Sequence, residues 1–156
     1  MIVLKRSRRL PEAGDIFVYR IKGHPFGYGR VIRTGTRIGD FTDVVLLYIY
    51  RSFSMDKLKV PGISKRRLLI PPLGTNRRPW TMGYFETIAC RPLDTQDVLP
   101  VHCFRDDAYD RYVNENGIPL KKKSDPCGVY GLDSFRTIDA RISYALGIKP
   151  APDTVP

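Results

Sequence analysis

His102 and Cys103 are the first pair with chemical potential, since an imidazole beside a thiol is the raw material of a cysteine nucleophile and its base. Being adjacent, they point to opposite faces of a strand and do not meet. A pairing of His24 or His102 with Cys90 or Cys127 would need the fold to join them, and no spacing in the chain announces it. The cysteines are odd in number and widely separated, which argues against a disulfide framework and fits reduced, buried thiols. Metal chemistry has no better footing. No Cys-x-x-Cys pair is present for zinc, and Asp106, Asp107 and Asp110 lack the glycine turn and terminal glutamate of a calcium loop, so they read as a solvated face. Gly27 and Gly29 open a dinucleotide fingerprint, but the third glycine is missing and a strand follows where a helix should. There is no Gly-x-Ser-x-Gly elbow and no Gly-Lys-Ser/Thr phosphate loop. The chain reads as a binding protein without cofactor or metal, not as an enzyme.

Charge says what kind of partner it takes. The formal charge of +10 is uneven: residues 1–80 hold 17 Lys+Arg and 5 Asp+Glu, giving +12, while residues 81–156 hold 9 and 11, giving −2. Such asymmetry implies an acidic partner, a protein face or a nucleic acid, and steers encounter more than it fixes a fold. The predicted contact patch is Lys65, Arg66, Arg67, Arg77, Arg78 and Trp80, because arginine and tryptophan dominate interface hot spots when a partner desolvates them. These cations, a basic arm over residues 1–13 and the tyrosines of a small β fold are also the ingredients of a groove that follows phosphates and stacks bases. No zinc finger, helix-turn-helix or ribonucleoprotein motif accompanies them. Each arginine reads equally as solvated surface, and Trp80 as core.

The elements that must position these residues are mostly strands. At 156 residues the chain predicts one domain: a basic arm over 1–13, a globular part over 14–148 and a proline-rich tail over 149–156. The longest apolar run, residues 44–50, falls far short of the roughly 20 residues of a membrane span, and the N-terminal charges follow the apolar stretch instead of preceding it. A cytoplasmic protein that does not enter a membrane is expected. Residues 15–21 alternate as a strand with one buried face, residues 22–25 turn, and residues 26–33 return as a second strand bent at Gly27 and Gly29. After a polar turn over 35–43, residues 44–53 predict a central strand. A basic loop over 57–67 leads to a short strand at 68–70 ended by Pro71-Pro72, then an exposed connection over 74–79 and a strand over 80–89. A short strand at 101–104, a helical turn at 106–112 and a hairpin around residues 114–117 follow. Phe135, Ile138, Ile142, Ala145 and Leu146 recur at helical spacing, with Asp133 or Ser134 to cap the start and Gly147 past the end. The predicted class is α+β and mostly β: a strongly bent antiparallel sheet, barrel-like in its N-terminal half, covered by the C-terminal helix.

In order along the chain, Gly14-Asp15-Ile16-Phe17, Tyr28-Gly29-Arg30-Val31, Trp80 with Gly83-Tyr84-Phe85, and Gly128-Val129-Tyr130-Gly131-Leu132 with Ser134-Phe135 resemble the bacterial immunity protein 26 family of polymorphic toxin systems. The resemblance covers roughly residues 12–148. It implies a mostly β, non-enzymatic cytoplasmic protein that binds a cognate toxin domain and blocks it. It carries no defined set of binding residues, because immunity proteins vary where they meet their toxins. A chain this basic implies a toxin domain with an acidic surface, a toxin that is not a nuclease, or binding away from the toxin's active site. Nucleic-acid binding is the second reading, and no oligomeric state is read from the sequence.

Overall fold

Asp15–Arg20 forms strand β1, and it is buried on both faces, not on one as expected. Its alternation sets aliphatic Ile16 and Val18 against aromatic Phe17 and Tyr19, so each face has its own apolar set to bury. The remaining elements are β2 (Phe26–Ile38), β3 (Phe41–Ser54), β4 (Leu68–Thr75), α1 (Arg78–Thr81), β5 (Glu86–Cys90), β6 (Cys103–Asp106), β7 (Arg111–Val113), β8 (Cys127–Val129), β9 (Leu132–Asp133) and α2 (Phe135–Ala145). They come from a computed structural model, which describes residues 1–149. The expected proline-rich tail lies, from residue 150 on, outside the described residues.

The main sheet runs β5-β1-β2-β3-β4-β9, antiparallel throughout except for the β4–β9 pair. It is strongly bent, as expected, but does not close into a barrel. The two-residue β9 joins β4 in parallel and is too short to carry the sheet round to β5, so both remain edges. A second sheet, β7-β6-β8, packs beside it.

β3 lies inside the sheet, as its apolar run predicts. Val45, Leu47 and Ile49 face one core with Trp80, Phe85 and α2, while Leu46, Tyr48 and Tyr50 face another with Phe104 and Val113 of the small sheet. Each such side chain contributes about 1.5 to 3 kcal/mol by leaving water. Gly27 and Gly29 of β2 stand opposite Tyr19 and Phe17 of β1. A side chain at either glycine would collide with the ring across from it, so the missing Cβ atoms let the two aromatics lie over β2.

Four expectations change. The polar turn over 35–43 narrows to Gly39 and Asp40, because β2 takes its extra residues into bulges and pairs on to Ile38. Pro71-Pro72 do not end β4. Between Ile70 and Leu73 three steps oppose the two from Ile49 to Leu47, a bulge in which proline needs no ladder hydrogen bond. Trp80 is not on a strand: Pro79 sits in the first turn of the short helix α1, the chain turns at Gly83, and only β5 is extended. The expected helical turn at 106–112 is a hairpin, with Arg105 bonding Asp107 and Asp110 across the turn from β6 to β7.

The last helix forms as predicted. Ser134 Oγ accepts from Thr137 N at 3.2 Å to cap it, and Gly147, at φ +68°, closes its end. Ile138 and Ile142 are fully buried against the sheet.

Candidate functional site

The six residues of the predicted patch do not come together. Lys65, Arg66 and Arg67 precede β4, whereas Arg77 and Arg78 follow it, and eight residues of strand separate the ends by roughly 23 Å. Lys65 is committed to the fold, its ammonium donating to Thr95 O at 3.0 Å and Val98 O at 2.9 Å, which ties the basic loop to the segment before β6. Arg66 and Arg67 stand exposed beside it. Trp80 is only 1% exposed. Its ring meets Phe17 and Phe85 edge-on at centroid distances of 5.3 and 5.2 Å, and its Nε1 donates to Thr87 Oγ1 at 3.2 Å. In this position it anchors α1, and with it the exposed Arg77 and Arg78.

What joins Arg77 and Arg78 is the N-terminal arm. Leu4 N donates to Gly83 O at 2.7 Å, Ser7 N to Trp80 O at 3.0 Å, and Leu10 shares a groove with Arg77. The arm therefore runs antiparallel to the segment 77–83, in steps of three residues. It is held further by Ile2 N on Arg20 O at 2.9 Å and by the Met1 amine on buried Asp139 of α2 at 2.5 Å. This alignment sets Arg6 and Arg8 beside the segment that carries Arg77 and Arg78, whereas Lys5 lines, with Ser7 and Arg9, a separate groove along β5 that also holds Glu86. Arg6, Arg8, Arg77 and Arg78 are exposed, and among the described residues none has a carboxylate within 4.0 Å. Arg9 differs: it is paired with Asp15 at 2.6 Å and Glu12 at 3.4 Å. The groove beside the cations, of about 730 Å³, has Leu10, Pro11 and Val45 on its apolar walls, with Asp43, Asn76 and Arg77 at its rim. Leu10 is 59% exposed there. Apolar wall and uncompensated cations together suit an acidic protein segment carrying an apolar anchor.

A second constellation is chemically suggestive but closed. His102 Nε2 lies 2.6 Å from Tyr48 Oη, its Nδ1 lies 3.1 Å from Glu115 Oε1, and Arg33 Nη1 reaches the same oxygen at 2.9 Å. The order carboxylate, imidazole, hydroxyl is that of a nucleophile relay. Here the hydroxyl is fully buried, also accepts from Leu99 N at 3.0 Å, and has its pKa pushed up to about 12 by burial. The chain of bonds joins β3 to the segments flanking the small sheet. Burial alone would raise the Glu115 pKa, but bonding to His102 and the Arg33 charge outweigh it and hold the carboxyl below its ordinary value.

The family model described as Immunity protein 26 matches residues 12–114. The chain belongs to the immunity protein 26 family. No curated protein and no solved structure matches it. The matched span of this immunity protein runs from the turn before β1 through β7, and so contains Trp80, Arg77 and Arg78. It stops short of the Gly128–Leu132 and Ser134-Phe135 part of the resemblance. The arm residues Arg6 and Arg8 also lie outside it, so the basic face combines a family segment with one from beyond the matched span.

Proposed function

We propose that this immunity protein binds a cognate toxin domain stoichiometrically and neutralises it by occlusion, without catalysis, in the cytoplasm. Membership of the family supports the immunity role. Among the described residues no helix is long and apolar enough to cross a membrane. The observation that carries the choice of surface is the set of four exposed cations without a carboxylate partner among the described residues, Arg6, Arg8, Arg77 and Arg78, beside the Leu10 groove. Unpaired charge does little for folding, but it accelerates encounter with an acidic toxin surface, and the groove gives that surface an apolar seat. Arg66 and Arg67 form a separate and weaker candidate at the far end of β4, and Trp80 supports the face from beneath.

Titration calorimetry of the purified protein with its toxin domain should give one-to-one binding. The double change Arg77→Glu with Arg78→Glu should weaken it by about 10- to 100-fold, more at low salt than at high. Undiminished affinity would exclude this face. The same cations would also attract phosphates, which sustains nucleic-acid binding as the second reading. Retention of arbitrary duplex or single strands, falling steeply with salt and unaffected by added toxin, would favour it.

A further inference from the structure

Cys103 and Cys127 are 24 residues apart in sequence, with a hairpin and a long irregular segment between them, yet the parallel pairing of β6 and β8 sets them directly opposite each other. Neighbouring strands lie about 4.8 Å apart, inside the Cα separation a disulfide accepts. Their side chains leave the sheet on the same side, and the two sulfurs are in contact at 2.8 Å. Cys103 is fully buried, whereas Cys127 is partly open to solvent and Cys90 stands exposed and alone on β5. We propose that Cys103 and Cys127 are a disulfide-forming pair, which oxidation closes into a covalent brace across the small sheet.

The location gives the bond a purpose. Phe104 and Val113 are the only fully buried apolar side chains that β7 and β8, together with the rest of β6 after Cys103, give to the core, so the small sheet has little of its own to hold it. Its closing segment also carries Glu115, which holds His102. A cross-link would fix that whole segment in place by restricting its unfolded states.

With glutathione disulfide as oxidant the exchange balances. The Cys127 thiolate attacks one glutathione sulfur and expels the other as a thiolate; the Cys103 thiolate then attacks the Cys127 sulfur and expels the second. Two protein thiols lose two electrons and two protons, and one glutathione disulfide becomes two glutathione thiols. Burial and the neighbouring Cys103 push the Cys127 pKa up to about 12, so the thiolate is scarce and closure is slow near neutrality.

The test uses the Cys90→Ser protein, which removes the exposed thiol that would otherwise give mixed products. Incubation with glutathione disulfide should yield a species lighter by two hydrogens, with a peptide map joining Cys103 to Cys127. Its formation should speed up about tenfold per pH unit between pH 7 and 9. The oxidised protein should melt roughly 5 to 10 °C above the reduced one. Neither the mass change nor the shift should occur in Cys103→Ser or Cys127→Ser. Two free thiols after prolonged oxidation of the folded protein, or stable glutathione adducts without closure, would overturn the proposal.

Discussion

The two sides of the main sheet are held by different physics. On the helix side Phe17, Val31, Leu47, Ile49, Trp80, Phe85, Ile138 and Ile142 pack as an apolar cluster, with the Met1–Asp139 ion pair at its edge. On the opposite side Tyr48 and Tyr50 share the core with His102, while Arg30, 4% exposed, pairs with Asp97 at 3.0 Å and donates to Arg91 O at 2.8 Å. Apolar burial tolerates any pH. A hydrogen-bonded network holds only while its partners keep the right charge. The difference teaches where the molecule should be sensitive to composition and where to protons.

Trp80→Ala should have the largest effect. It empties the centre of the apolar side, and comparable deletions cost about 3 to 5 kcal/mol. Denaturant unfolding should show this loss at every pH tested. A variant as stable as the parent would place the helix-side core elsewhere.

Glu115→Gln probes the other side and should destabilise by about 1 to 3 kcal/mol at pH 7, since His102 and Arg33 lose their carboxylate partner. The folded pKa of Glu115 is depressed, so its contribution is present above the unfolded value of about 4.3 and is lost as pH falls through the folded one. The parent and the variant should therefore converge as pH falls below the unfolded value. A gap that stays constant down to pH 3 would mean that the network is held by shape and not by charge.

Asp133 is the flaw at the margin of the helix side, and its sign is opposite. Arg141 reaches one oxygen at 3.2 Å, but among the described residues the other is buried without a partner, and burial raises the pKa from 3.8 to about 6. A carboxyl with a raised folded pKa stabilises below its unfolded pKa and loses that contribution as pH rises through about 6. Asp133→Asn should accordingly gain roughly 2 kcal/mol at pH 7 and almost nothing below pH 4. Opposite pH trends for the Glu115 and Asp133 variants would confirm that these two carboxyls respond to their surroundings and not to acid in general.

The local parts of this fold were legible in the sequence. The first hairpin, the central β3 and the Ser134-capped helix follow from periodicity and turn chemistry that act within a few residues. The misreadings came from rules that hold until tertiary structure offers an exit. Pro71-Pro72 end a strand unless a bulge receives them. The aromatic segment 80–85 reads as a strand unless Pro79 is taken as part of a helix's first turn and Gly83 as a turn. The arm's place beside α1 and the Cys103–Cys127 contact could not be read at all, because nothing local encodes which distant segments become neighbours. The predicted patch failed as one surface for the same reason: Lys65 and Arg77 are close in sequence, but β4 is extended between them.

The two basic clusters allow the finest comparison. Arg77 and Arg78 make no side-chain bond to the protein among the described residues, so replacing both by glutamate should change stability by no more than about 0.5 kcal/mol. Lys65 is also a surface cation, yet its two carbonyl bonds mean that Lys65→Ala should cost about 1 kcal/mol. Thermal melts of the two variants would separate a cation used for folding from cations free for a partner. A substantial loss of stability on reversing Arg77 and Arg78 would show that the face is structural, and any loss of toxin affinity in that variant could then no longer be read as a lost contact.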